Sequence, residues 1–135
     1  MTRDDRTTYL NFFGQEFPLC LTVLASDAIT KEFGGYDALG TALSKGVESL
    51  GDWAKLLQIL MDGGAARVKA IAWLNGETPD NPDVPDLDTI RNILSWGDIQ
   101  RDRDLIMSAI SGSSKPTVEA EPDMGKNVEA TQGSE

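Results

Sequence analysis

Residues 50 to 75 read LGDWAKLLQILMDGGAARVKAIAWLN, and this stretch decides the fold. Its large apolar residues recur at the three- and four-residue spacing that places side chains on one face of an α-helix. Asn75 and Gly76 form a stop signal. The pattern predicts one long central helix, and its apolar face carries Leu50, Trp53, Leu57, Leu60, Met61, Val68, Ile71 and Ala72.

Two glycines interrupt this helix near its midpoint. Gly63 and Gly64 each cost the helix about 1 kcal/mol relative to alanine, and with Ala65 and Ala66 they form a patch of four small residues. Such a patch permits another backbone to approach closely, or lets the helix bend. Two interpretations follow: a packing notch or kink inside the monomer, or a notch that receives a helix of a partner.

The residues before the central helix alternate between apolar and polar. Between Tyr9 and Leu21 apolar side chains recur at every second position, which predicts a β-hairpin. Gly14 suits the first central position of a type II′ turn. Pro18 lacks an N–H and is expected at an edge or unpaired position. A lone hairpin is marginal in water, so one of its faces must pack on the rest of the chain.

Two helices are predicted between the hairpin and the central helix. The first has Thr22 as its N-cap and Gly34-Gly35 as its stop. The second is shorter, is capped by Asp37 and ends near Gly46. The apolar face of the first helix carries Leu21, Leu24, Ala25, Ala28, Ile29 and Phe33, and that of the second carries Tyr36, Leu39 and Leu43.

Two further helices follow a proline-containing acidic loop over residues 77 to 86. Asp86 or Asp88 caps the first of them, which is broken at Gly97. The last helix begins at Asp98 and ends before Gly112. The expected fold is therefore mainly α, an N-terminal β-hairpin packed on a bundle of about five helices.

The distribution of apolar residues predicts three regions. Residues 1 to 8 form a flexible N-terminus, residues 9 to 111 form a single helical domain with its hairpin, and residues 112 to 135 form a disordered acidic tail. The tail holds five acids against two lysines and too few apolar residues to offset its chain entropy.

Composition excludes several kinds of chemistry. The 135 residues include 12 Lys and Arg, 22 Asp and Glu, one cysteine and no histidine, for a net charge of −10. A histidine general base, a Ser-His-Asp or Cys-His nucleophile and a Cys/His zinc site all lack their groups. The negative charge disfavours nucleic acid as a partner. No signal peptide or apolar span of roughly 20 residues is present, so we expect a cytoplasmic protein that does not enter a membrane.

The acidic loop does not fit a metal site or an active site. Glu77, Asp80, Asp83, Asp86 and Asp88 lie within twelve residues, but three prolines stiffen the loop and it lacks the glycine that a calcium loop needs at its sixth position. No acid is buried by pattern, as a raised-pKa carboxylate pair would require. We therefore expect no metal, no cofactor and no enzymatic activity.

Three tryptophans and one cysteine lie outside the acidic loop. Trp53, Trp73 and Trp96 all lie on or beside apolar stripes and are expected in the core, with Trp73 the one expected to lie partly at a surface. Exposed tryptophans are common hot spots of protein interfaces. Cys20 is expected to be a small core residue, because no basic neighbour lowers its pKa.

Three segments, taken in order, resemble the small tail assembly chaperones of long-tailed bacteriophages. They are the hairpin segment FFGQEFPLC at residues 12 to 20, the helix end EFGG at residues 32 to 35, and LLQIL leading into MDGGAAR at residues 56 to 67. The resemblance covers residues 9 to 111, and the acidic tail is similar in composition. No single motif is diagnostic; the order of the segments carries the resemblance.

The resemblance implies a non-enzymatic assembly factor. Such chaperones coat the tape measure protein, keep it soluble and help recruit tail tube subunits. They act in the cytoplasm of the infected host and are absent from the mature virion. A longer form of the chain arises in many phages by a −1 ribosomal frameshift. Here Met124 to Asn127 can encode a slippery heptamer, and binding to that longer form or to further copies of the chain is also implied.

Three surfaces are candidates for binding the tape measure protein: the outer face of the hairpin, the small-residue patch and the surroundings of one tryptophan. The residues concerned are Phe12, Phe17, Gly63, Gly64, Ala65, Ala66 and Trp73. Two other functions stay open. An acidic protein of this size can mimic DNA and inhibit a nucleic-acid-binding partner, and a minor structural tail or head-completion protein would be found in virions.

Overall fold

The computed structural model of the chain describes residues 7 to 112 and is mainly helical over that range. The predicted tail beyond residue 112, the frameshift position and residues 1 to 6 lie outside it. In chain order its elements are β1 (Thr8–Phe12), β2 (Gln15–Leu19), α1 (Val23–Phe33), α2 (Tyr36–Leu43), a 3₁₀ turn (Gly46–Ser49), α3 (Leu50–Asn75), α4 (Leu87–Ile93) and α5 (Trp96–Gly112). The predicted hairpin and five helices are confirmed.

The two strands pair antiparallel with a two-residue turn. Phe12 lies opposite Gln15, so the central residues are Phe13 and Gly14, at φ 53° and 87°. Positive φ at both positions is the mark of a type I′ turn, and the predicted type II′ turn with Gly14 first is wrong. The side chain of Asn11 accepts a hydrogen bond from the Gly14 N–H at 3.3 Å and closes the turn.

Strand β2 lies directly on α3. Pro18 is opposite Tyr9, and because hydrogen-bonded and non-bonded pairs alternate from the turn, its missing N–H falls at a non-bonded pair, as predicted for an unpaired position. Its carbonyl oxygen points outward instead and reaches Gly64 of α3. The N–H of Cys20 donates to the Leu60 carbonyl at 3.2 Å, joining the end of the strand to the helix.

Helix α1 runs antiparallel to α3 with the predicted caps. The Thr22 hydroxyl accepts from the Ala25 N–H at 3.1 Å, and Gly34 ends the helix in the left-handed conformation. At the start of α1, Ala25 lies against Gly63, while near its end Glu32 pairs with Lys55 at 3.0 Å. Helix α2 differs from the prediction, since Gly35 is its N-cap and Asp37 lies in its first turn.

Helices α4 and α5 close the domain. The Asp86 side chain caps α4 by accepting from the Thr89 N–H at 2.8 Å. Helix α5 begins at Trp96, two residues before the predicted start, because Ser95 and Asp98 form a reciprocal capping box. Gly97 therefore lies inside the first turn of α5 and does not break α4, which ends at Ile93.

One core joins the hairpin to all five helices. Leu10, Phe12, Phe17 and Leu19 enter it from the hairpin, and the N-terminal half of α3 supplies its centre. The largest fully buried side chains of α3 are Trp53, Leu56, Leu57, Leu60 and Met61. Within residues 7 to 112, no helix is both long enough and apolar enough to cross a bilayer.

Candidate protein-interaction surface

Both phenylalanines predicted to contact a partner are buried. Phe12 and Phe17 lie on the inner face of the hairpin with their ring centroids 6.3 Å apart, and both belong to the core. The period-two alternation of β1 puts Asn11 on the outer face instead, and Phe13 is exposed in the turn. The prediction that Phe12 and Phe17 line a binding surface is therefore corrected. Both are buried in the monomer because the hairpin face that carries them packs on the helices.

The small-residue patch is filled from within the monomer. A Cβ atom on Gly63 would overlap the Cys20 carbonyl oxygen, and one on Gly64 would overlap the Pro18 carbonyl. Ala65 is buried too, whereas Ala66 is exposed. Helix α3 continues through the glycines without interruption. Of the two interpretations, the structure agrees with a packing notch inside the monomer. The alternative, a notch that receives a partner helix, is corrected at Gly63, Gly64 and Ala65, because these residues are buried within the monomer.

The last turn of α3 carries two adjacent exposed apolar side chains. Trp73 is 80 % exposed and Leu74 is 74 % exposed. Ala66 and Ala70 precede them on the same side of the helix and are exposed as well. We call these four residues the α3 tip. Ala72, which faces the other way, is fully buried, so the helix is anchored along one side and uncovered along the other.

The start of α1 adds further exposed apolar residues at the base of the α3 tip. Val23 and Leu24 are both mostly exposed, although Leu24 was predicted to belong to the buried face of the helix. Because α1 begins against Gly63, the twelve residues of α3 from 64 to 75 extend about 18 Å beyond it. Sequence reasoning found Trp73 but missed Leu74, Val23 and Leu24, since periodicity does not show where a neighbouring helix begins.

The pKa shifts found in residues 7 to 112 belong to a helix cap, a partly buried carboxyl and a surface ion pair. Hydrogen bonds from Thr89 lower the pKa of the Asp86 carboxyl, and partial burial raises the pKa of Asp62. Hydrogen bonding and charge from Asp102, with a smaller contribution from Asp98, raise the pKa of Arg101. Among the same residues no three His, Cys, Asp or Glu side chains are grouped to hold a metal ion.

Comparison of the chain with protein-family models, with curated proteins and with solved structures gives no match.

Proposed function

We propose that this protein is a tail assembly chaperone of a long-tailed bacteriophage, and that its α3 tip binds the tape measure protein. It keeps that long helical partner soluble and helps recruit tail tube subunits around it. It acts in the cytoplasm of the infected host and is left out of the mature virion. Its further partners are a longer, frameshifted form of itself and further copies of the chain.

The exposure of Trp73 and Leu74 is the observation that carries this proposal. Burying a large apolar side chain contributes about 1.5–3 kcal/mol, and an 80 % exposed tryptophan forgoes most of that in the monomer. Tryptophan is one of the residues that are enriched in the hot spots of protein interfaces. A partner helix that covers the tip would recover this burial, as expected of a chaperone for an apolar helical protein.

Two other features support the proposal. Helix α3 is continuous and its first half lies in the core, so the tip is presented on a regular element and little conformational entropy is lost on binding. The net charge of −10 opposes non-specific aggregation while apolar side chains face the solvent. Both features suit a protein that holds another in solution.

Co-expression with the long helical protein encoded beside it in the phage genome tests the proposal. We expect that protein to stay soluble with the unaltered chain and to precipitate with the double variant Trp73→Ser, Leu74→Ser. The double variant should itself remain folded, because substitutions of exposed side chains change stability by about 0.5 kcal/mol or less. Equal solubility with both chains would contradict the role of the tip.

Val47→Ser is the matched control for this experiment. Val47 is exposed and apolar but lies on the 3₁₀ turn, away from the tip, so its loss should leave co-expression unchanged. Mass spectrometry of purified virions separates the chaperone from a minor structural protein, since only the latter stays in the particle. The codons for Met124 to Asn127 test the longer form, because a gene without a slippery heptamer there cannot shift at that position.

A further inference from the structure

The α3 tip continues a face of α3 that another helix of the chain already covers. Helix α1 packs on this face as far as Gly63, which lies against Ala25 in the first turn of α1. Ala66, Ala70 and Trp73 follow Gly63 at intervals of three, four and three residues. This is the a and d spacing along which one helix packs lengthwise on another. The face is therefore a helix-packing seam that α1 covers in its first part and leaves open from Ala66 onward.

The shape of the open part suits a second helix that lies in line with α1. Ala66 and Ala70 are exposed and small, so larger apolar side chains of such a helix can pack on them while the two backbones approach closely. Trp73 lies at the far end of the open part, and the exposed Val23 and Leu24 lie at its near end. The part of α3 beyond α1 is about 18 Å long, so the second helix would make contact over about three turns.

The charged residues beside the open part are both basic. Arg67 and Lys69 occupy the e and g positions that flank the a and d positions of the seam, and Lys69 is exposed. Residues 63 to 76 carry these two bases and no acid, although the net charge of the chain is −10. The nearest acids along the chain, Asp62 and Glu77, lie beyond the two ends of this stretch. The flanks of the tip thus have the opposite sign to the molecule as a whole.

We infer that the α3 tip binds an amphipathic helix whose apolar seam is flanked by aspartate or glutamate. Residues at e and g positions form the interhelical ion pairs that set partner choice, and acids there would face Lys69 and Arg67. A second copy of this chain fits less well, because it would bring the same bases against each other. This inference specifies the chemistry of the partner helix, and it rests on the proposed function only for the identity of that partner as the tape measure protein.

Two synthetic peptides of three identical heptads each test the inference. One repeats Glu-Leu-Ala-Ala-Leu-Glu-Gln and the other repeats Lys-Leu-Ala-Ala-Leu-Lys-Gln, so they differ only at the e and g positions. Neither contains tryptophan, and covering the exposed Trp73 should shift the emission of the full chain to the blue. At about 0.15 M salt, where charges are screened beyond about 8 Å, we expect the glutamate peptide to bind about fivefold more tightly than the lysine peptide. The net charge of −10 alone predicts the opposite preference.

Lys69→Glu is the variant that isolates the flanking charge. It should lower the preference for the glutamate peptide about fivefold, and because Lys69 is exposed the protein should remain folded. Lys45→Glu is the matched control. Lys45 is also exposed but precedes the 3₁₀ turn at the opposite end of α3, so the same change of charge there should leave the preference as it is.

The inference is overturned if the lysine peptide binds as tightly as the glutamate peptide, if the preference survives Lys69→Glu, or if millimolar glutamate peptide gives no saturable shift. Binding that is unchanged in Trp73→Ser, Leu74→Ser would also overturn it. A dimer of the unaltered chain in sedimentation equilibrium that this double variant abolishes would assign the tip to a second copy instead. If co-expression depends on the tip while the peptides show no charge preference, only this inference fails. If the preference holds and co-expression does not depend on the tip, only the tape measure protein is removed as the partner.

Discussion

Gly64 is the residue at which the hairpin meets the long helix. Any side chain there would overlap the Pro18 carbonyl, and Gly63 is restricted in the same way by the Cys20 carbonyl. The two glycines lower the helix propensity of α3, and in return they let a strand lie against the helix backbone. The two glycines therefore contribute to tertiary packing, and a scale of helix propensities alone would rank them only as destabilising.

We predict that Gly64→Ala destabilises the protein by about 3 kcal/mol, because the new methyl group collides with backbone that cannot move without shifting β2. Gly40→Ala is the matched control. Gly40 lies within α2 with open space around it, so alanine should stabilise the protein by about 0.5–1 kcal/mol. Urea unfolding followed by circular dichroism measures both. Equal effects of the two substitutions would refute the close approach of strand and helix.

Phe13 is the second residue whose backbone conformation has a measurable consequence. We predict that Phe13→Asn is more stable than Phe13→Ala by about 1 kcal/mol, since asparagine tolerates the left-handed conformation and alanine does not. Both variants lose the ring, so their difference isolates the backbone. Thermal unfolding of the two proteins provides the comparison, and an Asn variant no more stable than the Ala variant would argue against positive φ at this position.

At the scale of elements, local side-chain contacts fix the helix ends. Some of these contacts are easy to recognise in the sequence and others are not. Thr22, Gly34 and Asp86 act as the caps that were predicted. The predicted start of α5 at Asp98 is two residues too late because Ser95 and Asp98 form a capping box, which makes Ser95 the N-cap. A glycine two residues after the true N-cap then looked like a helix break.

The Asp86 cap makes the stability of α4 depend on pH. Thr89 holds the pKa of this carboxyl below its ordinary value of 3.8, so the charged form stabilises the folded state. The contribution is complete above about pH 3.8 and is lost as the pH falls through the lower folded pKa. Asp86→Asn keeps an oxygen acceptor but cannot titrate.

Unfolding free energies of the unaltered protein and of Asp86→Asn, measured from pH 6 down to about pH 2, test this dependence. We expect the advantage of the aspartate to shrink below about pH 3.8 and to be constant above it. A difference that does not change across this range would mean that the carboxylate is not the titrating group. Glu77, in the preceding loop, makes Glu77→Gln a suitable control for simple loss of charge.

At the scale of the whole molecule, the three tryptophans sample three environments. Trp53 is 1 % exposed at the centre of the core, and among residues 7 to 112 its indole N–H has no hydrogen-bond partner. The Arg103 guanidinium lies 6.0 Å from its ring centroid. Trp96 is half-buried against the core, and Trp73 is almost fully in solvent. The same aromatic residue thus serves the core at one position and the surface at another.

Fluorescence separates these roles. We predict that Trp73→Phe removes the red-shifted emission that acrylamide quenches, and that Trp53→Phe removes the blue-shifted, protected emission. The folded content by circular dichroism should be retained in Trp73→Phe. If the α3 tip binds the tape measure protein as proposed, that binding should shift the Trp73 emission to the blue. Quenching that persists in Trp73→Phe would place the accessible tryptophan elsewhere.

The sequence by itself determined the elements of this protein. Periodicity and caps are properties of neighbouring residues, so the hairpin, the long helix and the caps at Thr22, Gly34 and Asp86 followed from short stretches. The tertiary structure alone decided what each surface faces. Gly63 and Gly64 form a packing notch because β2 contacts them. Phe12 and Phe17 are core residues because the hairpin face that carries them packs on the helices. Leu24 and Leu74 stayed exposed because no helix covers their side of α1 and α3 within the described residues. Burial depends on contacts between segments far apart in the chain, which local patterns do not encode.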